Sequence, residues 1–233
     1  MKNAALPGLL LLLASTLASC KIFLSPLEYD LKYEYRQYST SMSDKIQIAK
    51  DRLAQRPELI KDPERRARFL AIPAESHGKQ ICAVTSYYLL LKYSNADGLG
   101  DFADYYLRNI DRGYIVETKT KDEDRKGFAL VNGAKSATAM LESYTYLGKS
   151  LKLLRYEGKD PLASFQSAPA RMAVLGRVDE NYEGHYFLIF KDEGGQARYA
   201  DALATSLYGK PVRGVFRTLA WLSENTTIDP EAF

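Results

Sequence analysis

The stretch from residue 82 to residue 93, CAVTSYYLLLKY, constrains the fold more than any other part of the chain, because it is apolar and follows a polar turn. The i, i+3, i+4, i+7 spacing of a helix with one buried face is carried by Val84, Tyr87, Tyr88 and Leu91. Such a helix needs a core around it. At 233 residues, the chain is long enough to supply one sizeable core.

Cys82 lies at the first turn of this predicted helix. The unpaired N–H groups and the positive dipole end of a helix stabilise a thiolate, which is the reactive form of cysteine. The alternative is a small buried packing residue, which is how most free cysteines behave. The position at a helix start favours the nucleophile.

The first 20 residues have the layout of a secretory signal, with a lysine near the start and an apolar run from Leu9 to Leu13. The run is too short for a permanent membrane span, which needs about 20 apolar residues. Its last quartet, LASC, resembles the bacterial lipobox and implies lipidation of Cys20. The alternative is a plain secretory signal in which Cys20 has no role. Under the lipobox interpretation, the protein is anchored by acyl chains in the bacterial cell envelope and faces the periplasm or the exterior.

Composition excludes several function classes. The net charge is only +3 and no long basic run is present, so nucleic acid is not an expected partner. The chain has two cysteines and two histidines, too few for a four-ligand zinc site once Cys20 is lipidated. No glycine-rich phosphate loop appears. We therefore expect neither a metal nor a cofactor, and the sequence leaves the oligomeric state open.

A base for the nucleophile is available at His185, which begins the apolar run HYFLIF. After the turn at Gly194-Gly195, a second predicted strand ends at Asp201. Strands joined by a tight turn pair as neighbours, so His185 and Asp201 can face each other. The sequence thus predicts an imidazole with its orienting carboxylate.

The CAVTSYYLLLKY segment, together with the later Gly-His strand and the Asp, resembles the C39-like group of papain-fold cysteine peptidases over residues 70 to 217. This resemblance implies that Cys82 is the nucleophile, His185 the general base and Asp201 the residue that orients the imidazole. It also implies a peptide or protein substrate. Papain-fold enzymes use a side-chain amide before the cysteine as an oxyanion donor. Gln80, only two residues upstream, is either that donor or a solvated turn residue.

His77, the second histidine, lies in a Ser-His-Gly segment and is predicted to be a surface loop residue, although a base, a metal ligand or a substrate contact are alternatives. The tyrosine-rich segment before residue 40 is predicted to be a tether or a strand-like arm on the domain.

We expect an α+β, papain-like fold, in which N-terminal helices including the cysteine helix pack on a C-terminal antiparallel sheet. The predicted organisation is a signal peptide at residues 1–19, a tether and helical extension at 20–69 and a C39-like domain at 70–233. Predicted helices cover 43–55, 63–70, 97–112 and 134–147. Predicted strands cover 150–156, 171–178, 185–192, 198–203 and 212–216. The expected function is an exported cysteine peptidase or thiol acyl-transfer hydrolase, with a non-catalytic protein that binds a peptide or an envelope partner as the alternative.

Overall fold

The computed structural model describes residues 24–78, 81–119, 126–130, 134–156, 160–178, 184–213 and 218–222. The predicted signal peptide, the lipidation candidate Cys20 and the oxyanion candidate Gln80 lie outside these ranges. Within them, the protein is α+β, and most of the helices precede the main sheet.

The helices are α1 (Pro26–Tyr29), α2 (Thr40–Gln55), α3 (Pro63–Ala71), α4 (Ala74–Gly78), α5 (Cys82–Tyr93), α6 (Phe102–Asp111), α7 (Ala134–Glu142) and α8 (Pro161–Ser167). A π-helical turn, Asp30–Glu34, continues α1. Short 3₁₀ turns occupy Pro57–Leu59 and Thr205–Leu207. The strands are β1 (Ile115–Glu117), β2 (Phe128–Leu130), β3 (Thr145–Tyr146), β4 (Lys149–Ser150), β5 (Leu153–Tyr156), β6 (Met172–Val178), β7 (Gly184–Lys191), β8 (Ala197–Ala200) and β9 (Thr218–Leu222).

Side-chain caps fix where several helices begin. The Ser39 hydroxyl accepts from Met42 N at the start of α2, and the Asp62 carboxylate accepts from Glu64 N and Arg65 N at the start of α3. Asp101 caps α6 by accepting from Asp104 N. These side chains satisfy amide groups that the helix itself leaves without partners.

The cysteine helix α5 is the centre of the fold. Between Ala83 and Leu91 every side chain is buried, including the polar Thr85 and Ser86. A helix that is buried all round must be covered on every side. It packs against β6 and β7 of the main sheet and against α6.

The main sheet has five antiparallel strands in the order β5-β9-β6-β7-β8. Two small antiparallel hairpins, β1-β2 and β3-β4, lie outside it. One face of the sheet, carrying Val174, Leu188 and Phe190, joins the large core around α5. The other face packs Leu175 and Ile189 against Phe165 of α8. Strand β7, which carries His185, is therefore held between two apolar layers.

The segment from residue 24 to residue 38, here called the N-terminal arm, packs into the same large core. Its residues Leu27, Leu31 and Tyr35 are buried with Met42 and Ile46 of α2. The sequence predicted a tether or a strand-like arm, but this segment is helical over much of its length. The apolar residues before position 70 thus share one core with the cysteine helix.

Two predicted helix boundaries are wrong. The helix predicted at 134–147 ends at Glu142, because Thr145 and Tyr146 instead form strand β3, which pairs with β4. The α6 helix begins at Phe102 rather than at Asp97, because Gly98 and Gly100 adopt left-handed backbone with φ of 62° and 73°. The Asp97 side chain instead accepts from Gly148 N in the turn between β3 and β4.

The fifth strand of the sheet lies later than predicted, at Thr218–Leu222 rather than 212–216. Val212 only donates its N–H to Ala197 O beside β8, and residues 214–216 lie outside the described ranges. Among the described helices, none is both long and apolar enough to cross a membrane.

Candidate active site

Cys82 is the first residue of α5 and is partly exposed. Ile81 precedes it as the cap residue and provides no side-chain cap. The first hydrogen bond into the helix runs from Thr85 N to Ile81 O at 2.9 Å. The N–H groups of residues 82 to 84 therefore have no acceptor within the helix, and they concentrate positive potential beside the Cys82 sulfur.

His185 and Asp201 form a hydrogen-bonded pair. His185 Nε2 lies 3.0 Å from Asp201 Oδ1 and 2.9 Å from Oδ2. The hairpin register pairs Leu188 with Ala200. His185 and Asp201 are therefore not directly opposite each other, and their side chains reach each other diagonally across the two strands. Asp201 is only 5% exposed, and its Oδ1 also accepts from Leu203 N at 2.8 Å. This carboxylate is held in place by the backbone that follows it.

The His185 ring links the carboxylate to the thiol. Burial alone would lower the pKa of His185, but hydrogen bonds and charge from Asp201 and Cys82 raise it to about 9. Since Asp201 occupies Nε2, Nδ1 is the ring nitrogen that remains to interact with the Cys82 thiol. The ring also stacks on Phe187, with centroids 5.7 Å apart. At neutral pH the imidazole is cationic, because its pKa is raised to about 9.

Ser86 connects helix α5, which carries Cys82, to strand β7, which carries His185. Its hydroxyl donates to the backbone carbonyl of Tyr186 at 3.2 Å. Ser86 lies one helical turn after Cys82, and Tyr186 is the neighbour of His185. This bond therefore fixes the distance between the two elements that carry the thiol and the imidazole. The sequence does not predict this bond, because no local pattern reveals a bond between residues 100 positions apart.

The N-terminal arm contacts the loop that carries Asp201. Gln37 N donates to Ala202 O at 3.0 Å, and the Ser25 hydroxyl hydrogen-bonds to Tyr208 Oη at 2.8 Å. The sequence does not predict these contacts. The Gln37–Ala202 bond uses only backbone atoms, and Ser25 and Tyr208 are 183 residues apart. The arm thus braces the residue next to the carboxylate.

His77 is not the surface loop residue that the sequence predicted. It is fully buried in α4, stacks on Phe128 and packs edge-on against Phe69. Its Nδ1 lies 3.1 Å from Tyr106 Oη, whose proton is donated to Phe128 O. Burial, together with the charge of Lys50, lowers the pKa of His77 to about 4. His77 is a neutral core residue away from the surface.

Three of the four predicted catalytic residues, Cys82, His185 and Asp201, lie together. The fourth, Gln80, is outside the described residues, as is Cys20. Across the part of the chain that the structure describes, no group of three or more His, Cys, Asp or Glu side chains is arranged to hold a metal ion.

Comparison with protein-family models finds no matching family, and comparisons with curated proteins and with solved structures find no significant match.

Proposed function

We propose that this protein is an exported, lipid-anchored cysteine peptidase or a related thiol acyl-transfer hydrolase. The observation that carries the proposal is the His185–Asp201 hydrogen-bonded pair beside the Cys82 thiol, which together with Asp201 raises the pKa of His185. A thiol at a helix start, an imidazole and an orienting carboxylate are the groups that nucleophilic catalysis requires. The order of helices first and sheet second supports a papain-like layout for this triad.

The chemistry follows from the positions of the three groups. The Cys82 thiolate attacks the carbonyl carbon of an amide or thioester, and a C–S bond forms. His185 donates its proton to the leaving amine or thiol as the original C–N or C–S bond breaks. Water then attacks the acyl-enzyme and gives a proton to His185, and breaking of the C–S bond releases the carboxylic acid and restores the Cys82 thiolate beside the protonated imidazole. Asp201 holds the ring so that Nδ1 faces the sulfur throughout.

The start of α5 supplies hydrogen-bond donors for the negative charge that develops during the proposed reaction. Its first N–H groups have no helical acceptor and no side-chain cap. Donors of this kind stabilise the oxyanion that forms on the attacked carbonyl. Gln80 is proposed as a further donor, on the basis of its place in the sequence.

Lipid anchoring is the second part of the proposal and is supported by the LASC quartet that ends the apolar N-terminal run. It places the enzyme on a membrane of the bacterial envelope. Peptides or proteins that reach that surface are then its substrates.

The first experiment measures the rate of Cys82 alkylation by iodoacetamide as a function of pH, in the wild type and in His185→Ala. We expect the wild-type rate to persist well below the pH at which free thiols ionise, and to fall by about tenfold or more at that pH in His185→Ala. Alkylation of Cys82 only after unfolding would show that this residue has a packing role, and it would favour the alternative of a non-catalytic binding protein.

A second experiment tests catalysis itself. Peptides cleaved by the wild type are identified by mass spectrometry, and the same mixture is then incubated with Cys82→Ala. We expect all thiol-dependent cleavage to disappear. Full cleavage by Cys82→Ala would rule out the cysteine mechanism.

A further inference from the structure

The N-terminal arm carries a line of exposed side chains that the proposed chemistry does not use. Leu27, Leu31 and Tyr35 anchor the arm in the core. The helical part of the arm exposes Pro26, Tyr29 and Tyr33, at spacings of three and four residues, and Arg36 is exposed just after the helical part ends. We call this set the tyrosine stripe. An exposed face of a helical segment is ordinarily polar, whereas two of the three exposed helical residues here are aromatic.

The two tyrosine rings form one continuous patch. Tyr29 is 49% exposed and Tyr33 57% exposed, and their ring centroids lie 5.2 Å apart. Tyrosine combines an apolar ring with a polar hydroxyl and is enriched where a membrane meets water. Arginine, which ends the stripe, places its charge among lipid headgroups while its stem covers apolar surface.

The charges around the stripe do not oppose an anionic surface. Each acidic residue of the arm is paired with a lysine, in the pairs Glu28–Lys32, Asp30–Lys92 and Glu34–Lys45. Arg36 adds a positive charge at the exposed end. The five charged side chains of the arm alone sum to −1, but with the pairing lysines Lys45 and Lys92 the surface carries four basic and three acidic side chains, a net charge of +1. Aromatic rings and this small positive charge are compatible with anionic headgroups.

The proposed lipidation site, Cys20, lies close in sequence to the tyrosine stripe, so the surface that the stripe contacts is expected to be a membrane. Pro26 follows Cys20 by six residues, and even a fully extended chain of that length spans no more than about 22 Å. With acyl chains on Cys20, the tyrosine stripe is the first described surface that the chain brings to the bilayer.

We propose that the tyrosine stripe lies in the headgroup region of the membrane and fixes the orientation of the anchored protein. This rests on the proposed lipidation of Cys20 but not on catalysis. Because Gln37, at the end of the arm, hydrogen-bonds to Ala202 beside Asp201, such an orientation keeps the triad close to the membrane surface.

The test places a fluorescent reporter on the stripe of the lipidated protein in vesicles of anionic lipid. The single tryptophan is removed by Trp221→Phe and a new one is introduced by Tyr33→Trp, or by Tyr29→Trp as a second stripe position. The matched control is Ile48→Trp, at a residue on α2 that is 50% exposed and off the stripe. Quenching by lipids that carry bromine near the headgroup is measured for each.

We expect a blue-shifted emission and at least about threefold stronger quenching at positions 33 and 29 than at position 48. Equal quenching at all three positions would overturn the proposal. The proposal would also be overturned if the blue shift depended on protein concentration and the reporters were not quenched by brominated lipid. That result would assign the stripe to an interface between protein molecules.

Mass spectrometry of the N-terminal peptide separates this proposal from the anchoring on which it rests. Absence of acyl groups on Cys20 would overturn both the anchoring and the membrane role of the stripe. An acylated protein with unquenched reporters would overturn the orientation alone, and neither result affects the alkylation test of Cys82.

Discussion

His185 carries the main pH dependence that the site imposes on stability. Its pKa in the folded protein is raised to about 9 from an ordinary 6.5, mainly because Asp201 and Cys82 offset the effect of burial. The cation is thus favoured by the fold. The resulting stabilisation is fully present below pH 6.5 and is lost as the pH rises through about 9.

We predict that the wild-type free energy of unfolding falls by up to about 3 kcal/mol between these two pH values. In Asp201→Asn the decrease should be much smaller, since the neutral amide no longer favours the cation. Urea unfolding at several pH values measures it. Asp192→Asn is the matched control, because Asp192 lies in the same hairpin but pairs with Arg198 and not with His185. This variant should show the same decrease in the free energy of unfolding over this pH range as the wild type. An equally steep decrease in Asp201→Asn would contradict the assignment.

At the residue scale, sequence reasoning predicted that Cys82 begins a helix and that His185 lies beside Asp201, and the structure has both features. Both follow from local signals, a helix start and a hairpin. The catalytic roles of the three residues stay predictions, whereas the surface position predicted for His77 is wrong. The burial of His77 depends on Phe69, Tyr106 and Phe128, which come from three separate elements. No window around His77 contains that information.

At the scale of elements, the site depends on how α5 lies on β7. The Ser86 hydroxyl, buried between them, donates to Tyr186 O. The neighbouring Thr85 hydroxyl is buried without a hydrogen-bond partner among the described residues. The two adjacent hydroxyls therefore provide a natural comparison, one bonded between the elements and one not.

We predict that Ser86→Ala lowers the free energy of unfolding by about 0.5–1.5 kcal/mol, because the bond is lost and Tyr186 O is left without this donor. It should also reduce the alkylation rate of Cys82 at low pH, since the thiol and the imidazole are no longer held in register. Thr85→Val should be neutral or stabilising, because it removes a buried hydroxyl that lacks a partner. Loss of stability with an unchanged alkylation profile would show that Ser86 does not position the pair.

Element types were better predicted than element ends. The cores of α2, α3 and α5 and the strands from β5 to β8 follow from hydrophobic period and turn residues. The start of α6 was misplaced because Asp97 serves the distant β3-β4 turn. Of the strand predicted at 212–216, only residues 212 and 213 are described, and there Val212 donates to Ala197 O at the edge of β8 without forming a named strand.

At the scale of the whole molecule, the N-terminal arm is joined to the cysteine helix through a buried acid. The Asp30 carboxylate accepts from Lys92 Nζ and from Tyr93 Oη, both at the end of α5. Asp30 is buried together with Leu31 and Tyr35. A carboxylate in this position is stabilising only while its donors remain in place.

We predict that Asp30→Ala lowers the free energy of unfolding by about 1–3 kcal/mol and exposes the arm to limited proteolysis. Glu34→Gln is the control, because the Glu34–Lys45 pair is more exposed and its loss should cost no more than about 1 kcal/mol. Urea titration and the time course of cleavage within residues 24–38 measure the two effects. Equal sensitivity of the two variants would show that Asp30 does not hold the arm.

The long sequence separation of the contacts that complete the site has a consequence for biosynthesis. Ser86 and Tyr186 are 100 residues apart, and Ser25 and Tyr208 are 183 apart. Contacts of this kind form late in folding, because large loops must close first. The thiol cannot meet its imidazole and carboxylate until the chain beyond residue 201 has been synthesised. The reactivity proposed for Cys82 therefore begins only when nearly the whole chain has been synthesised and folded.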